Sequence, residues 1–400
     1  MKRYDKYKPS GIDWIGDIPE HWTVATVGRV TNLGRGRVIS NLEIGENPGE
    51  YPVYSSQTEN NGVMGCLATY DFDGEYVTWT TDGANAGTVF HRTGKFNCTN
   101  VCGTIQPKNW EQIDLRFLPY YLNLGTKYSV RLDINPKLMN NMMAKIPMIL
   151  PSKSEQNSIA DFLSHKLSTI NSFIDNKKKL ITLLIEEKIS MIHKVVTGEG
   201  KNWQHKKLRY VALKVQTGST PPSSEDKYYS DEIKWFTPSD FSTNLKLEDS
   251  KRKISELAIS EGVVKLFPAY SVLFVGIGAT LGKVGYITEP AASNQQINCI
   301  SFDSLAKAVF YANYFFVNQP NISALSNSAT LPILNQSQMK DIKLPVPNTV
   351  AEIAECVEYI NSEIIRIDSM IEKIQKEIAL IDEYKFSLIY ETVTGKIKVA

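Results

Sequence analysis

The feature that most constrains this chain is a long heptad pattern written twice. Residues 170–198 read INSFIDNKKKLITLLIEEKISMIHKVVTG, and residues 367–395 read IDSMIEKIQKEIALIDEYKFSLIYETVTG. At an offset of 197 residues Ile170 matches Ile367, Ile174 matches Ile371 and Ile181 matches Ile378. Lys188 then matches Lys385, Ile192 matches Ile389, and Val196-Thr197-Gly198 matches Val393-Thr394-Gly395. A repeat on this scale fixes the architecture before any local propensity does.

Alternating steps of four and three from Leu163 pass through Leu167, Ile170, Ile174, Lys177, Ile181, Leu184, Lys188, Met191 and Val195. The same steps from Ile360 pass through Ile364, Ile367, Ile371, Ile374, Ile378, Ile381, Lys385, Leu388 and Thr392. Eight of the ten positions are apolar in each series. A sustained 3.5-residue spacing predicts a coiled-coil seam. Glu186, Glu187, Glu372, Lys373 and Lys376 supply solvated faces, and Gly198 and Gly395 sit where a left-handed C-terminal cap is wanted. Each helix runs about 40 residues, on the order of 60 Å. One apolar stripe of that length needs a partner, and the economical partner is its own repeat, paired antiparallel. The helix-pairing residues are then Leu163, Leu167, Ile170, Ile174, Ile181 and Leu184 against Ile360, Ile364, Ile367, Ile371, Ile374, Ile378 and Ile381.

A proline-marked boundary precedes each helix: Ile146 to Pro151, and Ile342 to Pro347. Ahead of each lies a block rich in short β-like runs broken by Gly, Asn and Pro. Each block opens with a tryptophan, Trp22 or Trp203, and each carries a matching strand–turn–strand, EYVTWTTDGANAGTVFHR (75–92) and YSVLFVGIGATLGKVGYI (270–287). An offset of 195 aligns Gly83-Ala84 with Gly278-Ala279, and Gly87 with Gly282; Thr99-Asn100 and Asn294-Gln295 follow. The expected fold class is α+β. Two mixed globular domains (1–151 and 199–346) alternate with two long antiparallel helices (152–198 and 347–400), related by a pseudo-twofold axis. Twofold readers of DNA match sites of fixed separation, and blocks of different sequence imply different half-sites.

Composition sets the remaining bounds. With 42% hydrophobic residues over 400 positions, the chain is folded and holds two or more domains. The 44 basic and 43 acidic residues give no evidence of nucleic-acid binding, so a DNA reader of this balance must segregate its charge. Cys66, Cys98, Cys102, Cys299 and Cys356 are sparse and odd in number, which suggests a reducing compartment. Cys98 and Cys102, with His91 upstream, lack a second ligand pair and read as buried thiols. No apolar run reaches the ~18 residues of a membrane span. The polar start, Met1 to Ser10, lacks the apolar core of a secretion signal. A cytoplasmic protein is expected.

The segment Trp14 to Trp22, WIGDIPEHW, resembles the opening of type I restriction–modification specificity subunits, as does the Val-Thr-Gly that ends each helix. The turn Asp82-Gly83-Ala84-Asn85-Ala86-Gly87 resembles one in their target-recognition domains, and Pro151 to Ala160, PSKSEQNSIA, resembles the start of their long helix. The second copy departs from that last motif, with Ala351-Glu352 where Glu-Gln is usual. The resemblance covers nearly the whole chain. It implies two target-recognition domains, each reading half of a bipartite, asymmetric site on double-stranded DNA. It implies that the paired helices are a ruler between them and a platform for two adenine methyltransferase (M) subunits, through which restriction (R) subunits join. S-adenosylmethionine, ATP and Mg then belong to the partners. The chain itself would bind no cofactor or metal, supply no catalytic group and touch no membrane.

Rival motifs are weaker. Phe274 to Gly278 matches an F-x-G-x-G cofactor loop, but the first copy reads Thr80-Thr81-Asp82-Gly83 there and no base-flipping N-P-P-Y or D-P-P-Y follows. Gly278 to Val284 misses a phosphate loop at Ile277 and Val284. Asp226 with Glu232 and Lys234 resembles a nuclease set, yet Glu186 and Lys188 show the same spacing on a helix surface. Groove readout favours Arg or Lys for guanine and Asn or Gln for adenine. In the first block this points to Arg35, Arg37, Ser56, Gln57, Asn60 and Asn61. In the second it points to Thr217, Ser219 and Thr220, then Asn294, Gln295 and Gln296, then Ser326, Asn327 and Ser328. Lys95, Arg131, Lys227 and Lys283 are candidate phosphate contacts.

Overall fold

The computed structural model describes residues 2–131, 135–326 and 332–399. The chain forms two compact units, Met1–Lys177 with Lys376–Ala400, and Lys178–Gln375. Two helices dominate both, Lys153–Thr197 and Val350–Val393, and the division falls inside each of them.

In the first unit a six-stranded sheet has the order Thr31–Arg35, Cys102–Pro107, Phe72–Thr80, Val89–Cys98, Pro48–Tyr54, Val63–Leu67. All its pairs are antiparallel except Pro48–Tyr54 with Val89–Cys98. Strand Phe72–Thr80 shows why this sequence forms a sheet. Val77 and Trp79 point to one face by the two-residue alternation and are wholly buried. They join Phe117, Leu118 and Tyr121 of helix Phe117–Gly125 in the main core, which also takes Leu388 and Val393 from the second long helix. The indole of Trp79 donates to Leu138 O at 2.9 Å, so its one polar atom is satisfied inside that core.

In the second unit four strands order as Lys214–Thr217, Ile297–Ser301, Ser271–Val275 and Val284–Ile287. A second sheet orders Lys253–Ile254, Ile233–Phe236 and Ala292–Ser293. Ser271–Val275, SVLFV, is buried along its whole length, as a continuous apolar run requires when both faces are covered. Helix Leu305–Val317 packs over it, with Phe274 and Phe315 rings 5.7 Å apart.

The long helices start and stop for identifiable reasons. Ser152 and Glu155 form a reciprocal cap at the first: Glu155 N donates to Ser152 Oγ (3.3 Å), and Ser152 N to Glu155 Oε2 (3.1 Å). At the second, Glu352 N donates to Thr349 Oγ1 (3.1 Å) and Asn348 N to Glu352 Oε2 (3.0 Å). Both helices end on a left-handed glycine, Gly198 at φ 69° and Gly395 at φ 75°. Glu199 N reaches back to Lys194 O (3.1 Å) and Lys396 N to Glu391 O (2.8 Å), the Schellman closure. Glu352 is therefore the counterpart of Glu155, which corrects the motif reading. Within the Glu-Gln pair the second copy departs at the next position, where buried Ile353 replaces Gln156, whose amide holds Gln112 O and Pro151 O.

The two opening tryptophans tie these ends together. Trp22 donates through Nε1 to Glu155 (3.2 Å) and lies so close to Gly395 that a Cβ there would sit 3.0 Å from its ring. Trp203 donates to Glu352 (3.0 Å), and a Cβ on Gly198 would sit 2.2 Å from its ring. In each unit one indole thus locks the start of one long helix to the end of the other.

Within each unit the helices run antiparallel. Lys177–Glu377 (2.6 Å) and Lys385–Asn171 (2.7 Å) bracket the first unit; Lys188–Asp368 (2.6 Å) and Arg366–Glu187 (3.3 Å) bracket the second. All thirteen heptad positions named above are buried or half-buried. Leu163 and Leu167 also belong to the first block's core, and Ile360 to the second block's, so the seam merges into a block at each of these ends. Among the described residues, no helix is long and apolar enough to cross a membrane.

Candidate nucleic-acid interface

At one edge of each block four separate segments are woven together, and the weave is the same in both. Gly36 N donates to Cys102 O (3.0 Å) and Arg37 N to Cys98 O (3.1 Å); Gly218 N and Ser219 N do the same to Ile297 O (3.1 Å) and Ser293 O (2.9 Å). Thr99 N donates to Tyr54 O (2.9 Å), as Asn294 N does to Phe236 O (3.0 Å). Thr81 N donates to Val101 O (2.9 Å), as Gly276 N does to Gln296 O (2.8 Å). The turn that follows is closed by Gly87 N to Thr80 O (2.8 Å) and by Gly282 N to Val275 O (2.9 Å). Its tip is pinned by Gly83 N to Pro136 O (3.0 Å) and by Gly278 N to Pro332 O (3.1 Å).

Glycine is required at two kinds of place here. Gly36 and Gly218 lie under crossing backbone, where a Cβ would meet Cys98 O at 2.2 Å and Asn294 O at 2.3 Å. Gly83 and Gly278 have φ of 89° and 95°, in the left-handed region that other residues rarely adopt. The backbone repeats, yet its side chains do not. Arg35-Gly36-Arg37 in the first block stands where Thr217-Gly218-Ser219 stands in the second.

The structure brings most first-block candidates to this edge. Arg35 donates through Nε to Asn100 O and is exposed. Arg37 is held by Asp71 (2.9 Å) and Glu43 (2.6 Å); the Glu43 hydrogen bond pushes its pKa up and the Arg37 partner pushes that of Glu43 down. Ser56 O accepts from Asn85 Nδ2 (3.3 Å), which ties loop 55–62 to the glycine turn. Gln57 spans that loop to Val63 O, and Asn60 and Asn61 stand exposed in left-handed conformation. Arg131 is bridged through its backbone to Lys137, beside the pinned turn. Lys95 lies elsewhere, opposite Asp73, with its ammonium 4.4 Å over the Tyr70 ring.

In the second block Thr217, Ser219, Thr220 and Asn294 to Gln296 meet at the edge. Thr220 Oγ1 donates to Gln295, and Ser219 Oγ accepts from Lys265 N (3.3 Å). Asn294 is buried and turned onto Gln296, giving Nδ2 to Gln296 Oε1 (3.0 Å) and taking Gln296 N (3.1 Å). Its amide shapes the turn and is not presented to solvent. Lys283 is exposed, while Lys227 pairs with Glu261 (3.3 Å). Ser326 N donates to Ser323 O (3.0 Å); Asn327 and Ser328 lie outside the described residues.

Two contributors escaped the sequence. Arg92 sits beneath the first edge, 3.6 Å from the Tyr54 ring centre and 4.4 Å from that of Phe90, and donates from Nε to Thr78 (3.2 Å). Burial pushes its pKa down, and its Nη1 has no hydrogen-bond partner. Its place in a run of polar strand residues, His91-Arg92-Thr93, gave no signal. The other is the turn Thr237–Asp240, which leaves the second sheet where Ser55–Gln57 leaves the first. The residues of the rival motifs make structural contacts. Gly276 and Gly278 spend their N–H groups on Gln296 and Pro332, Lys234 pairs with Glu289 (2.9 Å), and Glu232 accepts from Glu256 N (2.8 Å). Cys98 and Cys102 are buried free thiols, and no metal-binding cluster occurs among the described residues.

A family model, type I restriction modification DNA specificity domain, matches residues 19–183 and again 200–380. The "Putative type I specificity subunit S.MpnORF289P N-terminus" of Mycoplasma pneumoniae is 50% identical over 135 residues, 34% of this chain and 72% of that protein. The type I restriction enzyme MpnII specificity subunit of the same organism is 44% identical over 135 residues, 34% of this chain and only 40% of its own length. Among solved structures, a chain from a study of complex assembly and conformational transition of the type I R-M system superposes with a TM-score of 0.73 at 13% identity. It covers 95% of this chain and 99% of that one, which shows a shared fold.

Proposed function

The chain belongs to the type I restriction modification DNA specificity domain family, and from that premise we propose that it reads a bipartite, asymmetric site on double-stranded DNA. One block takes each half-site, through the woven edge. The observation that carries this reading is the edge itself: one backbone bonding pattern built twice, bearing different hydrogen-bonding side chains. A scaffold that merely held protein would have no need to vary these groups over an unvaried frame. Arg35, with its guanidinium fork exposed, suits a guanine edge or a phosphate; the Arg37 guanidinium is spent on Glu43 and Asp71, while its backbone N–H holds Cys98 O.

The mechanism is positioning. The paired helices space the two readers and seat two methyltransferase subunits, through which restriction subunits join. Leu183 and Ile365 in the second unit, and Leu380 and Tyr384 in the first, are large apolar groups left exposed on the helices and suited to such partners. The partners bring S-adenosylmethionine, ATP and Mg, and the complex works in the cytoplasm. The test is a genome-wide map of methyladenine in a host expressing this chain with its neighbouring methyltransferase, against the methyltransferase alone. A new bipartite motif with a fixed gap, present only with this chain, is expected. A stable complex that yields no motif refutes the reading.

A further inference from the structure

Resting on the reading that the woven edge contacts DNA, we infer that Thr237 and Ser239 determine specificity in the half-site read by the second block. The argument starts from strand register. Pro48–Tyr54 runs parallel to Val89–Cys98, with Val53 opposite Asn97 and Tyr54 opposite Cys98. Ile233–Phe236 runs parallel to Ala292–Ser293, with Trp235 opposite Ala292 and Phe236 opposite Ser293. In both blocks the residue after this pair turns its N–H back onto the strand end: Thr99 N to Tyr54 O, Asn294 N to Phe236 O. The chain leaving Phe236 therefore emerges where the chain leaving Tyr54 does. There the first block presents Ser55, Ser56 and Gln57, and the second presents Thr237, Pro238 and Ser239.

The second turn is built to hold its hydroxyls still. Pro238 fixes its own φ at the start of the short turn Pro238–Asp240. Asp240 Oδ2 takes both the Thr237 N–H (2.6 Å) and its Oγ1 hydroxyl (2.8 Å), and Asp240 Oδ1 takes Lys251 N (2.9 Å). Thr237 Oγ1 lies 2.9 Å from Ser239 Oγ, and Ser239 is exposed. The carboxylate is spent inside the turn, where it orients Thr237; it is a positioning group. Thr237 gives its one hydroxyl proton to Asp240, so the Ser239 hydroxyl donates to Thr237 Oγ1, and the pair faces outward as an acceptor toward a base-edge amine. A hydroxyl already held in place loses less freedom on binding than a free one.

The experiment uses the whole complex of this chain with its cognate methyltransferase, read by methyladenine mapping. If the parent complex yields no bipartite motif, the DNA-reading proposal fails before this one is reached. Given a motif, Ser239→Ala is expected to relax one position of one half-site and lower methylation at the original sequence roughly three- to tenfold, the worth of one hydrogen bond. The other half-site stays unchanged, and Ser56→Ala relaxes that other half instead. Ser239→Asn, which offers an amide suited to adenine, is expected to change the base preferred at that same position. This second variant decides the matter if Ser239→Ala fails to assemble. An unaltered motif with Ser239→Asn, or equal loosening of both half-sites, overturns the inference.

Discussion

Substituting Gly36 by alanine tests the weave directly. An added Cβ would lie 2.2 Å from Cys98 O and 2.4 Å from Thr99 O. Both are backbone atoms and cannot swing aside, so the strand end must move by about 1 Å to reach ordinary contact distance. That movement breaks the bonds from Gly36 N to Cys102 O and from Arg37 N to Cys98 O. Two donors left without partners in a part-buried place cost about 1–2 kcal/mol each. Alanine recovers about 0.4–1 kcal/mol by restricting the unfolded chain. The net expectation is a loss of about 1–3.5 kcal/mol, or roughly 2–14 °C in the melting temperature of a unit of this size. Gly218→Ala meets Asn294 O and Ser293 O at 2.3 Å and should cost the second unit as much. The control is Gly45→Ala: nothing lies within 4 Å of its added Cβ, and the residue sits in helix Asn41–Glu46. It should stabilise by up to about 1 kcal/mol. Calorimetric melting compares the three variants. Were Gly36→Ala to melt with the parent, or below it no further than Gly45→Ala departs, the claim that this crossing is closed to side chains would be wrong.

Other expectations follow from the same contacts. Ile367 is wholly buried in the seam, so Ile367→Ala should cost about 2–5 kcal/mol in urea unfolding. Ile365, 71% exposed, should tolerate alanine within about 0.5 kcal/mol and lose affinity for the methyltransferase in titration calorimetry. The hydrogen bond from Trp203 holds the Glu352 carboxyl below its ordinary pKa. A depressed carboxyl stabilises the fold above its unfolded pKa and loses that contribution as pH falls through the folded value. Melting of the second unit should therefore drop on acidification through the carboxylate range, and Glu352→Gln should flatten that dependence. Inserting four residues after Leu180 adds about 6 Å of helix; mapping should then show a changed gap between unchanged half-sites.

The long helices were legible because their periodicity is carried by side chains alone: Ile367 and Ile374 are buried where the heptad puts them. The caps at Gly198 and Gly395 were legible for the same reason, since glycine at that place has one use. The Trp22 and Trp203 locks were not, because each joins residues more than a hundred positions apart and neither partner looks unusual by itself. The equivalence of Arg35–Arg37 with Thr217–Ser219 was hidden more deeply. What repeats there is backbone hydrogen bonding, and no side chain survives to mark it. Asn294 illustrates the converse, an amide that composition offers to a ligand and the fold spends on Gln296. Several other candidates, Ser56 and Thr217 among them, do gather at the edge. Polar residues in glycine-broken loops collect where strands end.

The division of the chain has a consequence for how it is made. The second unit, Lys178–Gln375, is continuous in sequence, whereas the first needs residues 376–400 to close. Leu388 and Val393 complete its core, Tyr390 donates to Trp14 O (2.9 Å), and Gly395 O accepts from Tyr7 (3.1 Å). On a ribosome adding ~5–20 residues per second, roughly 200 residues separate the two parts, a delay on the order of 10–40 s. Through that interval the nascent first block holds open the apolar face that Leu388 and Val393 will cover, a surface for chaperones to guard. The part of the chain translated first is the last to be sealed.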